Sequence, residues 1–341
     1  EGSLEVNVAT LAESDDTSQS FTGVINTPLI EDTLALRVAA YHFEDAGYID
    51  AVSTPRGVDV AEATGSPHRI EDDINSSETS GVRASLLWRV SDNLDVNVTL
   101  GAQRQEVDAY ARTNPDFGTY SVASLTSDLA ENDADFFNLT VSYDMGWATL
   151  TSATSVVETS TLVHSGNLAF AYQDTSDFLN TSGPASFNSQ IEADMTTQEF
   201  RLSSDLDGPL QFIAGLYYED VHRTDDFTVP WGGTRWEGVE GATPHDDNPI
   251  PGVWFANFDT ADYQQQAIFG ELYYQLAEQW ELSVGVRHFD YDREDISNSF
   301  TFDADGNPAF KTLDVGKKDQ TYKMGLNYTP NDDTLLYAQW S

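Results

Sequence analysis

The chain contains no cysteine, which excludes disulfide frameworks, thiolate metal sites and cysteine nucleophiles. Basic residues are also scarce: Lys and Arg number 16 against 57 Asp and Glu, a formal net charge of −41 over 341 residues. Nucleic-acid binding rests on neutralising phosphates with Lys and Arg, so that partner is excluded. A polybasic attachment to anionic lipid is disfavoured for the same reason. No apolar run approaches the ~18 residues of a membrane helix, and no secretory leader opens the sequence. Catalytic patterns are missing too. His42, His68, His164, His222, His245 and His288 are scattered without an HExxH pair, and there is neither a G-x-S-x-G elbow nor a Walker loop. Carboxylates are too numerous for a glycosidase dyad to stand out. The chain reads as a non-enzyme without a cofactor or catalytic metal. Its dispersed acid reads as a solvated surface in preference to a cation funnel.

What is present is alternation. In Tyr263 to Asp295 two extended runs flank a polar turn at Ala277-Glu278-Gln279. Trp280, Leu282, Val284 and Val286 fall on one face of the second run, and Glu281, Ser283, Gly285 and Arg287 on the other. Period-two patterning marks a strand with one apolar and one polar face. These runs far exceed the about five or six residues usual in soluble sheets, but suit a tilted strand crossing a bilayer in about 9–11 residues. The same pattern recurs in Thr33 to Tyr48, Ser76 to Val90, Leu94 to Arg112, Asp133 to Tyr143, Trp147 to Val163, Gln190 to Ser204, Leu210 to Thr224 and Thr321 to Tyr328. The tally is about thirteen strands. Short turns alternate with long connections at Ile49 to Asp73, Thr113 to Glu131, His164 to Ser189 and Asp225 to Asp262. Short turns on one side and long loops on the other are the pattern of outer-membrane barrels. Trp88, Tyr143, Trp147, Tyr274, Trp280 and Tyr328 sit beside the short turns, where a membrane–water interface favours amphipathic rings. A mean hydropathy of −0.40 is compatible, since only one face of each strand meets lipid. The competing fold, a soluble β-sandwich, has shorter strands and no one-sided loop length.

Three stretches resemble the barrel half of TonB-dependent outer-membrane receptors: Ile268-Phe269-Gly270-Glu271-Leu272-Tyr273-Tyr274, Leu282-Ser283-Val284-Gly285-Val286-Arg287-His288 and Leu336-Tyr337-Ala338-Gln339-Trp340-Ser341. Thr197 to Leu202 and Gly215 to Tyr218 look like a further hairpin of that family. The resemblance covers essentially the whole chain, but its motifs are architectural. It implies a barrel of about 22 strands with a plugged lumen, in the outer membrane of a Gram-negative bacterium, binding scarce ligands and importing them with energy relayed by TonB. Residues 1–341 are then expected to be a barrel fragment, with about thirteen strands, and with the N-terminal plug and C-terminal strands missing. The expected partners are TonB through that plug, outer-membrane lipid, and a ferric siderophore. The alternatives are an oligosaccharide or other small nutrient taken up the same way, and a passive porin or adhesin barrel.

Candidate ligand contacts fall in two groups. In the loop Asp225 to Asp262, Trp231, Trp236, Trp254, Phe255 and Phe258 supply flat surfaces, and Arg235, His245, Asp246 and Asp247 supply polar groups. Rigid aromatics with a few charges suit an aryl siderophore or a sugar ring, although such rings also pack a long loop on itself. Inward-facing Arg37, Arg83, Arg201 and Arg287 attract an anionic ligand, or pair with luminal carboxylates of adjacent strands or the plug. Asp303, Asp305 and Asn307, with Asp314 further on, partly mimic a calcium loop, but Gly306 arrives two positions early. Asp-Gly-Asn is also a common hairpin turn, and the turn is the preferred reading.

Overall fold

Alternation sends successive side chains to opposite faces, and hydrogen bonding between neighbouring runs then builds a sheet. The computed structural model describes residues 1–53, 70–123, 128–166, 186–230, 253–300 and 309–341. In chain order the strands are β1 (Gly2–Thr10), β2 (Thr17–Ile30), β3 (Leu34–Asp45), β4 (Asp50–Ala51), β5 (Ser77–Ser91), β6 (Leu94–Val107), β7 (Ser121–Val122) and β8 (Leu129–Asp144). They continue as β9 (Ala148–Gly166), β10 (Ser186–Ser204), β11 (Leu210–Pro230), β12 (Val253–Ala277), β13 (Trp280–Phe300), β14 (Ala309–Asn331) and β15 (Thr334–Trp340). All except β4 and β7 form one 13-stranded sheet in which sequence neighbours are sheet neighbours, and every pairing within it is antiparallel. No second sheet packs across its face among the described residues, so the sandwich alternative fails.

The two faces are inverted relative to a water-soluble protein. Ile268, Leu272, Val284, Val286, Leu216, Leu100 and Met324 lie exposed on one face, with Val284 at 48% and Leu272 at 54%. Ser283 and Thr99 lie buried on the other, at 7% and 6%. A monomer in water does not leave such an apolar band uncovered; lipid hydrocarbon is the solvent that covers it. On β6 the band runs from Leu94 to Ala102, about 20 Å across the bilayer at the ~45° tilt of such strands. Trp88, Tyr143, Trp147, Tyr274 and Trp280 are exposed next to the short turns, and the Trp280 and Tyr328 rings stack at 4.2 Å. The short turns therefore mark the periplasmic side.

On the other side the strands run further than expected. The connection read as Asp225 to Asp262 shrinks, because β11 continues to Pro230 and β12 begins at Val253. Likewise β13 reaches Phe300 and β14 starts at Ala309. Above the membrane both faces are polar, as in the pairs Asp225↔Asp259 and Glu294↔Asp314. The period-two signal vanishes there while the backbone ladder persists. Trp254 and Phe255, expected in a loop, consequently belong to the backbone of β12, and Phe187 to β10.

Two connections read as plain loops also hold structure. β4 and β7 pair in parallel, joining the β3–β5 and β6–β8 connections into a small platform at the extracellular rim. Ile49, Ala51, Ile74 and Ala109 form its dry core, and Asn75 Oδ1 accepts hydrogen bonds from the backbone N–H groups of Tyr48 and Ile49 at 2.8 Å each. Two-residue strands offer no period to read, and their partners are far apart in sequence. Ile49 is 1% exposed, so Ile49→Ala is expected to destabilise the platform by roughly 2–5 kcal/mol. Limited proteolysis should then cut the platform connections faster, while the barrel keeps its heat-modifiable gel mobility.

Candidate functional site on the luminal wall

The face opposite the lipid band is polar. Several of its cations are neutralised by neighbouring carboxylates: Arg223 with Asp225 at 2.8 Å, Arg293 with Asp295 at 2.9 Å, Lys323 with Glu271 at 2.9 Å and Arg89 with Asp95 at 3.7 Å. Arg37, Arg83, Arg201 and Arg287 share this face but differ. Among the described residues none of them has a carboxylate within ion-pair distance. Pairing with acids on adjacent strands is thus not found for these four among the described residues. Alternation places an arginine on the lumen, but register chooses its neighbours. Those are Ser85 beside Arg37, Ala39 and Gly101 beside Arg83, Thr151 and Gly215 beside Arg201, and Phe269 and Thr321 beside Arg287. Arg37 donates to Asn26 Oδ1 instead, at 2.9 Å.

Arg287 sits in an aromatic cradle. Its guanidinium carbon lies 5.1 Å from the centre of the Tyr217 ring and 6.0 Å from that of Phe269. Its Nη2 donates to Gln265 Oε1 at 3.0 Å. The Phe269 ring can lie flat because its cross-strand partner is Gly215, where a Cβ would fall 2.3 Å from a ring atom. Gly101 likewise makes room for the Phe136 ring. Tyr263 and Tyr291 extend the aromatic surface, with ring centres 5.7 Å apart, and Phe289 stacks on Tyr291 at 6.2 Å. Arg201, Gly215, Phe269 and Arg287 occupy one cross-strand row, so two unpaired arginines flank the Phe269 ring. A guanidinium held over rings keeps its charge and its outer N–H donors available, which suits a flat anion.

On the lipid-side face above the apolar band, cations are paired. Arg104 contacts Asp133 at 3.3 Å and Asp135 at 2.8 Å, Lys318 meets Asp290 at 2.6 Å, and His222 meets Asp262 at 2.7 Å. The His222 imidazole is held above its ordinary pKa chiefly by the hydrogen bond to Asp262, against a smaller desolvation effect. Among the described residues no group of three or more His, Asp or Glu side chains is placed to hold a metal ion.

Residues 71–341 match the family described as TonB dependent receptor-like, beta-barrel. This chain belongs to that family. As a TonB-dependent receptor barrel it lies in the outer membrane of a Gram-negative bacterium, and its family is one of receptors, not enzymes. No curated protein matches it by sequence. Among solved structures, the ferric yersiniabactin uptake receptor FyuA from Yersinia pestis is similar with a TM-score of 0.75 at 13% identity, covering 99% of this chain and 46% of that one. The siderophore receptor PiuA from Acinetobacter baumannii follows with a TM-score of 0.64 at 12% identity, covering 99% of this chain and 48% of PiuA. The copper transporter OprC gives a TM-score of 0.61 at 10% identity, covering 99% and 44%. The chain thus spans about half the length of the receptors it resembles, and at these identities they share its fold alone.

Of the residues singled out in the sequence, Arg83, Arg201 and Arg287 are on the luminal wall of this receptor barrel. Trp231, Arg235, Trp236 and His245 lie outside the described residues, as do Asp303, Asp305 and Asn307. Trp254 and Phe255 are placed by their backbone only. Sequence reading overlooked Tyr217, Tyr263, Gln265, Phe269 and Tyr291. Each was visible as a luminal position of an alternating run, but only the register of β11, β12 and β13 brings them round Arg287.

Proposed function

We propose that residues 1–341 are the barrel region of a receptor whose plug and remaining strands complete the protein, and that this receptor imports a scarce small ligand using energy relayed by TonB through the plug. The ligand we infer is an anionic ferric chelate with flat donor groups, a ferric siderophore. The observation that carries this reading is Arg287, a guanidinium left without a carboxylate in a chain of net charge −41 and held against the Tyr217 and Phe269 rings. An acidic lumen repels anions in general, so an unpaired arginine in an aromatic wall favours an anion able to stack. The long extracellular strands and rim capture the ligand, and movement of the plug lets it pass. An oligosaccharide fits the rings equally but leaves the arginines without a role.

The test is regulated expression and uptake. Iron limitation should induce the gene, and radiolabelled iron supplied as an anionic ferric tris-catecholate should enter cells only with the full-length receptor and an energised inner membrane. Induction by one carbon source regardless of iron would shift the ligand to a sugar. Solute entry that persists without TonB would replace import with passive diffusion.

A further inference from the structure

The lipid face of β5, β6, β8 and β9 is not smooth. Small residues interrupt it where the apolar band ends: Ala84 on β5 is directly across from Leu100 on β6, and Ala102 on β6 directly across from Val82 on β5. Larger side chains stand beside them, Phe137 of β8 across from Leu100 and Val156 of β9 across from Phe137. The result is a depression of about 380 Å³, a volume in the range of small-ligand sites. Its depth follows from alternation along β6. Ala102 is the outermost apolar residue on this face, and Arg104 is the next one outward. The depression therefore straddles the boundary between hydrocarbon and headgroups, on the side away from the short periplasmic turns.

The outer end of the depression is acidic. Asp135 and Glu158 line it and sit directly across from one another, and Glu158 is also directly across from Asp194 of β10. Like charges in opposed positions destabilise a sheet, and a cation placed over them relieves the repulsion. The chain supplies little of that charge. Arg104 is committed to Asp133 at 3.3 Å and Asp135 at 2.8 Å. His222, across from Asp194, meets Asp262 through its Nδ1 at 2.7 Å. Glu158 and Asp194 have no ion-pair or hydrogen-bond partner among the described residues. An apolar trough at hydrocarbon depth, ending in uncompensated carboxylates at headgroup depth, complements a lipid with a cationic head. A bare phosphate would instead meet four carboxylates, Asp133, Asp135, Glu158 and Asp194, against one guanidinium. A primary ammonium brings three N–H donors, and its charge-assisted bonds to carboxylates are among the strong ones.

We propose that this depression binds a lipid whose headgroup bears a primary ammonium, the acyl chain lying over Ala84 and Ala102 and the ammonium held by Glu158 and Asp194. The site is on the outer wall of the barrel, across the sheet from the luminal arginines, and is independent of which ligand is imported. The experiment is native mass spectrometry of the full-length receptor, delipidated in detergent and titrated with dioleoyl phosphatidylethanolamine, phosphatidylcholine or phosphatidylglycerol. Phosphatidylethanolamine is expected to bind at least about fivefold more tightly than the other two, since charge-assisted hydrogen bonds are the stronger class. Phosphatidylcholine keeps the positive charge but has no N–H donor, and phosphatidylglycerol has no cation. Glu158→Gln combined with Asp194→Gln should abolish the preference. Ala102→Leu, which fills the depression and leaves the carboxylates intact, should weaken phosphatidylethanolamine binding by a similar factor. Heat-modifiable gel mobility checks that each variant is folded. Equal affinity for the three lipids, or a preference that survives the double substitution, would overturn the site. Unchanged binding to folded Ala102→Leu would overturn the place given to the acyl chain. Tighter binding of phosphatidylglycerol in magnesium, lost on adding EDTA, would put a divalent cation and a phosphate where the ammonium is proposed, and would overturn it too.

Discussion

Val284→Arg is expected to destabilise the assembled barrel by roughly 2–4 kcal/mol, the cost of a cation on the lipid face near the bilayer midplane. Val284 stands between Leu272 of β12 and Met324 of β14 on the exposed apolar face. An arginine there has no carboxylate within reach, and its guanidinium must either sit in hydrocarbon or stretch toward a headgroup. The immediately preceding residue behaves differently. Ser283 faces the polar side and pairs with Tyr273 and Gly325. The measurement is chemical denaturation of the full-length protein folded into lipid vesicles, followed by the gel shift between folded and unfolded barrel. Arg287→Leu serves as the control and should leave folding intact. If Val284→Arg folded normally while Arg287→Leu failed to assemble, the two faces would have been assigned the wrong way round.

The second large effect concerns the ligand. Arg287→Gln should weaken binding of an anionic ferric tris-catecholate by about 10- to 100-fold, because a charge-assisted hydrogen bond contributes about 1.5–3 kcal/mol. Arg287→Lys should recover only part of this. The ammonium keeps the charge but loses the planar fork and its stacking on Tyr217 and Phe269. A neutral ferric tris-hydroxamate should be nearly indifferent to either change. Equilibrium binding to vesicles holding the full-length receptor decides the matter. Equal weakening of charged and neutral chelates would mean that Arg287 supports the wall and does not contact ligand. The expected pattern separates charge recognition from a packing defect, since both variants remove the same cation–π geometry but only glutamine removes the charge.

The two predictions draw on different levels of the chain. Val284 could be assigned from sequence alone, because period two is a local property of the backbone and needs no partner. The apolar face of β13, the tally of about thirteen strands and the short turns with their aromatic neighbours were legible for the same reason, whereas the receptor family was legible as a resemblance of motifs such as Leu282 to His288. Arg287 was legible only as a luminal residue. That its neighbours are Phe269 and Thr321 and not acids depends on strand register, and that Tyr217 reaches it depends on a side chain two strands away. The rim platform is the extreme case. Asp50↔Ser121 and Ala51↔Val122 join segments with no periodicity of their own.

The sequence by itself therefore determined which residues face lipid and which face the lumen, since that follows from alternation along one strand. It determined the acidity of the protein and the absence of thiol chemistry by composition alone. Only the tertiary structure decided how far the strands continue above the membrane, because a ladder of backbone hydrogen bonds leaves no hydropathy signal where both faces are wet. Only the structure decided which arginines keep a free charge. Ion pairing depends on atoms a few ångströms apart, contributed by strands whose register the local pattern does not encode.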